Sequence, residues 1–193
     1  MRRYIVLDTF LMGMAAAFLM GSSLLAQAQA PSKSSAQPAT EVLWLGQAGF
    51  RIKSPSGKAI LIDPWITGGP KTPAIYKNDL SAIGPIDLLL VTHAHVDHIG
   101  DAPALAKMNN TKLYGPADMV TPLITLGILP ADLGHRFNKT GRVTPLPGIK
   151  VTAVQAEHSS LLVWKNPATE KMESHAAGEA MGYIIELENG FKI

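Results

Sequence analysis

The stretch Thr-His-Ala-His-Val-Asp-His-Ile-Gly-Asp, residues 92–101, decides how this chain is interpreted. Four side chains that commonly bind metals fall within six positions, namely His93, His95, Asp97 and His98. Without a ligand they would compete for few hydrogen-bond partners, and burial would penalise their charged forms. At this composition, chance yields the pattern with a probability of roughly 2 in 10,000 over the chain. The stretch therefore predicts a divalent metal site, because neutral imidazole nitrogen and carboxylate oxygen are natural ligands of such ions.

The beginning of the chain has the features of a signal peptide. Arg2 and Arg3 form a basic start, the apolar run 10–25 follows, and two small-x-small cleavage sites come next. We expect a signal peptide over residues 1–30, cleaved after Ala30, and hence an exported, periplasmic protein. A membrane anchor is the alternative, although the apolar run is short for a spanning helix and contains two glycines and two serines.

Composition limits the partners and the metal. The chain has 17 Lys and Arg residues against 15 Asp and Glu residues, a formal net charge of +2. This balance predicts no nucleic-acid partner and no stable membrane association after signal cleavage. The absence of cysteine excludes disulfides and thiolate ligands. One or two divalent ions are expected, with Zn favoured and Mn or Fe as alternatives.

Hydrophobic patterning predicts one α/β domain over residues 41–193, after a disordered leader rich in Ser, Ala and Pro over 31–40. The run 86–91 is apolar on both faces, as expected of a buried strand in a layered fold. Further strands are predicted over 42–45, 50–52, 59–62, 112–114, 149–154, 181–187 and, barely begun, 190–193, and helices over 101–108 and 117–129.

The spacing of the metal-binding side chains predicts how they converge. His93 and His95 alternate on a short extended segment, so both can face one point. Asp97 and His98 then turn towards an adjacent point, where the loop enters a helix. His158 is the best candidate for a third ligand of the first position, because it also follows a predicted strand. One loop and one distant histidine can thus supply two neighbouring metal positions.

The remaining histidines and two tryptophans are given lesser roles. His135 is expected in a solvated loop. His175 falls in the polar segment 165–179, which is interpreted as a flap over the site, with contact to substrate or metal as the minor alternative. Trp65 and Trp164 are expected to pack in the core or at its rim, with a role in lining a pocket as the alternative.

The central motif resembles the signature His-x-His-x-Asp-His of the metallo-β-lactamase superfamily. The flanking segments are similar to the branch of metal-dependent hydrolases that includes ascorbate-6-phosphate lactonase-like proteins. They are Leu45-Gly46-Gln47-Ala48-Gly49-Phe50, Leu61-Ile62-Asp63-Pro64-Trp65, His98-Ile99-Gly100-Asp101 and His158-Ser159-Ser160. The resemblance spans residues 41–193 and implies an αββα sandwich, of which this chain would supply the N-terminal half to two-thirds.

The resemblance also implies roles for individual residues. Two metal positions would be held by His93, His95 and His158 and by Asp97 and His98. Asp97 would be a catalytic group that handles a proton when one metal is present. Asp63 would order the His loop from behind the ligands. The alternative for Asp63 is a turn or helix cap before Pro64.

Activity expected from the resemblance is hydrolysis of a small-molecule ester, lactone or phosphoester by a metal-activated water. Members of the superfamily carry a Gly-Asp-Thr segment after the strand that begins near Gly190, and a later histidine. The chain stops before either, so we expect a truncated protein whose first sheet lacks its packing partner. The alternatives are a catalytically inactive metal-binding remnant and a membrane-anchored interaction module.

Overall fold

The computed structural model describes residues 39–193, in which a mixed six-stranded sheet carries the predicted metal loop. Its strands follow in chain order, β1 (Glu41–Gly46), β2 (Gly49–Lys53), β3 (Ala59–Ile62), β4 (Leu88–Leu90), β5 (Leu113–Pro116) and β6 (Gly134–Phe137). The pairs from β1 to β3 are antiparallel, and those from β3 to β6 are parallel. The carboxyl ends of β3 to β6 therefore meet at one edge, the usual place for sites in such sheets.

Helices cover one face of this first sheet. They are α1 (Ala74–Asn78), α2 (Val96–Ile99), α3 (Ala102–Asn109) and α4 (Ala117–Thr125), with a 3₁₀ turn over Leu80–Ile83. The buried apolar residues of α3 and α4 join β-strand residues such as Leu89 and Leu113 in one core cluster. None of the helices that the structure describes is both long and apolar enough to span a membrane.

The predicted helix 117–129 is too long at its C-terminal end. Gly127 adopts φ +70° and donates its N–H to Ile124 O, while Ile128 N–H donates to Leu123 O. These two bonds form a Schellman motif, which satisfies the last helical carbonyls and turns the chain away. The helix therefore ends at Thr125, and Ile128 and Leu129 are buried beyond it.

A second, three-stranded sheet packs against the other face of the first. It contains β7 (Arg142–Leu146), β8 (Ile149–Gln155) and β11 (Met181–Glu186) in the order β11-β8-β7. Inward-facing Val151 and Ile185 pack against Ile60 and Leu90 of the first sheet in a second core cluster. The expectation that the first sheet lacks its packing partner is therefore wrong, because residues 142–186 already supply one.

The edge of β11 carries the start of a further strand, as predicted. Ile185 and Ile193 exchange backbone hydrogen bonds of 2.9 and 3.0 Å, and Glu186 forms a bridge with Lys192. The turn between them contains Gly190 at φ +81°, a conformation in which a Cβ is disfavoured. This end of the chain thus forms the predicted hairpin.

Four strands were not predicted, and none of them lies at the centre of either core sheet. β6 and β7 are edge strands, while β9 (Leu161–Lys165) and β10 (Met172–Ala176) form a separate two-stranded hairpin. His135 lies in β6, with its ring centroid 4.3 Å from that of Tyr114. Its assignment to a solvated loop is therefore wrong, since it is half-buried on a strand. The signal peptide predicted over residues 1–30 and all but the last two residues of the leader predicted over 31–40 lie outside the described residues.

Candidate metal centre

The His loop leaves β4 at the carboxyl edge of the first sheet. Val91 N–H donates to Tyr114 O as the strand ends, and α2 begins at Val96, where His98 N–H donates to His95 O. His93 and His95 lie on the short segment between these elements, as the alternation predicts. The loop is therefore fixed at both ends by regular structure, which limits the movement of its side chains.

His158 reaches the same point from the second sheet. Possible ligand atoms of His93, His95 and His158 all lie within 4.8 Å of one another. The ring centroid of His158 is 4.8 Å from that of His93 and 5.0 Å from that of His95. Three imidazole nitrogens that converge in this way are the kind of donor set that holds a divalent ion such as Zn in a site with a further position for water. The donor set therefore fits a divalent metal.

Burial and the neighbouring histidines keep the His93 ring in its neutral form. Burial of the ring, followed by the nearby His98, His95 and His158, lowers the pKa of His93 to about 4. The ring is therefore neutral at neutral pH, which is the form that binds metals. Thr92 Oγ1 donates to Asp63 Oδ2 at 2.6 Å and lies 3.0 Å from His93 Nδ1. Because the hydroxyl proton is used on Asp63, Nδ1 of His93 donates to that oxygen, and Nε2 keeps its lone pair.

Asp97 and His98 form a second pair beside this cluster. His98 Nε2 lies 3.7 Å from Asp97 Oδ2, and the ring centroids of His98 and His93 are 4.0 Å apart. His98 Nδ1 donates to Asp63 Oδ2 at 2.8 Å, so its Nε2 faces Asp97. Although burial opposes the charge, the hydrogen bond and charge of Asp63 raise the pKa of His98. The structure thus brings together all five residues predicted as ligands.

Asp63 lies behind the two histidines and holds the loop. Its carboxylate is buried and accepts from Thr92 N at 2.7 Å as well as from Thr92 Oγ1 and His98 Nδ1. Its backbone φ of +45° is one that Asp tolerates better than most residues. Carboxylates in this position fix the tautomer and orientation of metal-binding histidines. The contacts agree with the predicted supporting role and not with a cap before Pro64.

Ser160 connects the two segments that carry the histidines. Its Oγ accepts from Ala94 N–H and donates to Ala177 O, each at 3.2 Å. Met181 N–H, at the start of β11, donates to Thr92 O at 3.0 Å. These bonds hold the segment after β8 against the His loop, and sequence reasoning gave Ser160 no such role. The signal for it was only its position two residues after His158.

Asp101 is a second supporting carboxylate, and although it belongs to the quoted motif, the sequence analysis gave it no role. It is buried and accepts from Ile66 N at 2.5 Å, Thr67 N at 2.9 Å and Thr67 Oγ1 at 2.7 Å. It thereby fixes the loop after Asp63 at the start of α3. Trp65 packs in this loop against Gly68 and Gly100, where a Cβ would overlap its ring. This agrees with the expected packing role of that tryptophan.

A polar cavity lies at the same sheet edge. It has a volume of about 290 Å³ and is lined by Pro116, Asp118, Asn138, Lys139, Glu179 and Met181. Pro116 ends β5 and Asn138 follows β6, so the cavity opens where the parallel strands end. Met181 joins it to the His loop through the bond to Thr92 O. Two of its lining residues, Lys139 and Glu179, form an ion pair with each other, and Asn138 Oδ1 accepts from Ala117 N–H at 3.1 Å.

The other histidines stay outside the cluster. His175 lies on β10, with Nε2 3.3 Å from Glu173 Oε2, and it is not among the three histidines whose ligand atoms converge. His135 lies beside Tyr114 on β6. Trp164 packs against the core on the helix side.

The two sheets pack face to face with helices outside the first sheet, and three imidazoles converge where the parallel strands end. These features define a metal-binding α/β protein. The chain belongs to the beta-lactamase superfamily domain family, whose model matches residues 58–193. The predicted superfamily and the metallo-β-lactamase fold are thereby confirmed.

Relatives and solved structures agree with this membership. A UPF0173 metal-dependent hydrolase of Polynucleobacter asymbioticus is 80% identical over 92% of this chain and 62% of its own length. Another from a Polaromonas species is 60% identical over 82% of the chain and 59% of its own length. The chain thus spans about three-fifths of these curated relatives.

Igni18, a metallo hydrolase from Ignicoccus hospitalis, matches with a TM-score of 0.59 and 26% identity. The match covers 80% of this chain and 58% of the length of Igni18. Zn-bound PqqB from Methylobacterium extorquens matches with a TM-score of 0.52 and 17% identity, over 76% of this chain and 51% of the length of PqqB. At this identity the match shows a similar fold alone.

Proposed function

We propose that this protein is a metal-dependent hydrolase acting on a small-molecule ester, lactone or phosphoester, with Zn as the favoured ion. The observation that carries the proposal is the convergence of His93, His95 and His158 on one point from two separate loops. The names of the relatives, metal-dependent hydrolases, support the same reaction class.

The chain's own residues prepare the centre for this chemistry. A divalent ion held there supplies a Lewis acid and lowers the pKa of a water molecule. His93 presents a neutral nitrogen, because burial and its histidine neighbours hold its pKa down. Asp63 orients His98 through Nδ1, and when a single ion is bound, Asp97, partly exposed next to His98, is placed to take up a proton.

Replacement of His95 tests the proposal most simply. His95→Ala removes one of three ligands, so we expect loss of both bound Zn and hydrolysis of ester, lactone and phosphodiester probes. His175→Ala is the matched control, since that histidine is not among the converging three, and it should keep both. Normal hydrolysis by His95→Ala would contradict the proposal. Zn binding by the unaltered chain without turnover of any probe would favour a metal-binding remnant.

Export to the periplasm is part of the proposal. The basic start at Arg2 and Arg3, the apolar run 10–25 and the small-x-small sites support it. The intact mass of the exported protein should correspond to a chain that begins at Pro31. An uncleaved chain in the membrane fraction would instead support an anchored protein.

A further inference from the structure

The turn between β1 and β2, residues 46–49, reaches the second candidate metal position. Gln47 Nε2 donates to Asp97 Oδ2 at 3.0 Å. The same oxygen is the one that lies 3.7 Å from His98 Nε2. A single oxygen of Asp97, Oδ2, therefore accepts from the Gln47 amide and also faces His98 Nε2.

The backbone of this turn is held in an unfavourable conformation. Gln47 has φ +49°, a region that side chains other than Gly, Asn and Asp seldom adopt. Gly46 precedes it at φ +99°, and a Cβ there would come within 2.9 Å of Thr72 N, so the turn lies closely against the loop 71–72. Trp44 Nε1 donates to Gln47 O at 3.0 Å and fixes the peptide from the other side.

The hydrogen bond between Gln47 and Asp97 contributes little to the stability of the fold. Gln47 is exposed, and the Asp97 side chain is 34% exposed, so water can replace either partner. Glycine or asparagine would occupy this backbone conformation at less cost. A strained residue beside a cluster of ligands, with a weak structural contribution, is typical of a functional position.

We infer that Gln47 is a positioning residue whose amide holds the Asp97 carboxylate towards His98, so that these two side chains form a second divalent-cation position. The inference rests on the proposed function, because it presupposes a metal at the first position. The amide donates a hydrogen bond to one oxygen and thereby limits the rotation of the carboxylate. Asp63 does the same for His98 from the opposite side, through Nδ1.

Cobalt titration of the full chain, freed of metal beforehand, tests the inference. Visible absorption and elemental analysis would follow Co²⁺, and the unaltered chain should bind two equivalents. In Gln47→Gly the first Co²⁺ should bind as before, and the second about 10–100-fold more weakly, as for other partners that orient ligands. Gln47→Asn also tolerates the backbone, but its amide is one methylene shorter, so it should weaken the second site too. Ala48→Gly alters the same turn without removing the amide and should leave both sites unchanged.

Stability separates positioning from a structural role. Gln47→Gly relieves the positive φ, so its Tm should equal or exceed that of the unaltered chain even though the second Co²⁺ is weakened. A lower Tm with both Co²⁺ sites weakened equally would overturn the inference. Unchanged affinity of the second Co²⁺ site in Gln47→Gly would also overturn the inference. Binding of only one equivalent of Co²⁺ by the unaltered chain would overturn it too, but it would not contradict the proposed hydrolase function. No Co²⁺ binding at all would contradict the proposed function itself.

Discussion

One buried carboxylate, Asp63, fixes the ring of one candidate ligand and, through Thr92, the tautomer of another. Replacing it by Asn keeps the size but exchanges an acceptor oxygen for a donor. At least one of the three donors that it now satisfies would lose its partner. We expect Asp63→Asn to lower Zn affinity about 10–100-fold, and the free energy of unfolding by about 1–3 kcal/mol.

Asp87→Asn is the control for that change. Asp87 also accepts from a backbone N–H, that of Ala59, and pairs with Lys58, each at 2.9 Å. Its replacement should affect stability but leave Zn affinity unchanged. Calorimetric titration with Zn and chemical denaturation would measure both quantities, and equal Zn affinity in the two variants would contradict the role given to Asp63.

His135 provides a pH-dependent contribution away from the metal. Burial, and then the charge of Lys112, lowers the pKa of His135 below its ordinary 6.5. The unfolded chain therefore binds a proton at this residue before the folded chain does, as pH falls. The stability associated with a neutral His135 is present above pH 6.5 and is lost as pH falls towards the folded-state pKa.

Proton NMR of the ring of His135 should give a titration midpoint below 6.5. Lys112→Met should raise that midpoint, because one of the two causes is removed, whereas Lys107→Met should not change it. A midpoint at or above the ordinary value in the unaltered chain would show that the ring is solvated, as the sequence had predicted.

Single residues differ in how far the sequence reveals them. The five candidate ligands and Asp63 could be singled out because metal chemistry restricts residue types and spacing within a short motif, and their binding of metal stays a prediction. His135 was misplaced, because the strand that holds it is short and half-exposed. Gln47 and Asp101 act through contacts 50 and 34–35 positions away, and no local pattern encodes such contacts.

At the scale of elements, the site depends on how the segment after β8 is tied to the His loop. Ser160→Ala removes two hydrogen bonds that join Ala94 and Ala177 through one hydroxyl. We expect a loss of about 1–3 kcal/mol in unfolding free energy, because buried backbone groups lose their partner. We also expect weaker Zn binding, because His158 is held by the same segment.

Ser159→Ala is the neighbouring control, since Ser159 is exposed and lies on the same segment. It should bind Zn and unfold as the unaltered chain does. If both serine variants bind Zn equally well, the connection between the two loops is not what places His158.

Elements with strong patterns were predicted well, and the errors have identifiable causes. The strand at 59–62 and the helix near 101–108 matched closely, since their apolar spacing is regular. The last helix was extended past Thr125 because apolar residues continue, although Gly127 was the available stop signal. The hairpin of β9 and β10 has few buried residues, so alternation gave little indication of it.

For the whole molecule, the pairing of two sheets makes a core that the sequence alone did not reveal. Ile185 is buried between the sheets, while its neighbour Ile184 points to the other face and is 43% exposed. Ile185→Ala should lower the free energy of unfolding by about 2–5 kcal/mol, as for other large-to-small core changes. Ile184→Ala should cost roughly 0.5 kcal/mol or less.

Chemical denaturation of both variants would measure this difference. Equal effects at the two positions would mean that the second sheet does not pack as described. The sequence missed this sheet pairing because family resemblance located half of the sandwich after residue 193. The order of strands depends on contacts such as Tyr183 Oη to Val91 O, 92 positions apart.

The central claim is that His93, His95 and His158 hold one divalent ion, and an anomalous difference map tests it most directly. Crystals of the Zn-treated chain, measured on both sides of the Zn absorption edge, should show a peak about 2.0–2.1 Å from one nitrogen of each ring. Absence of any peak among these rings, in crystals whose Zn content is confirmed, or a peak held by other side chains, would contradict the account.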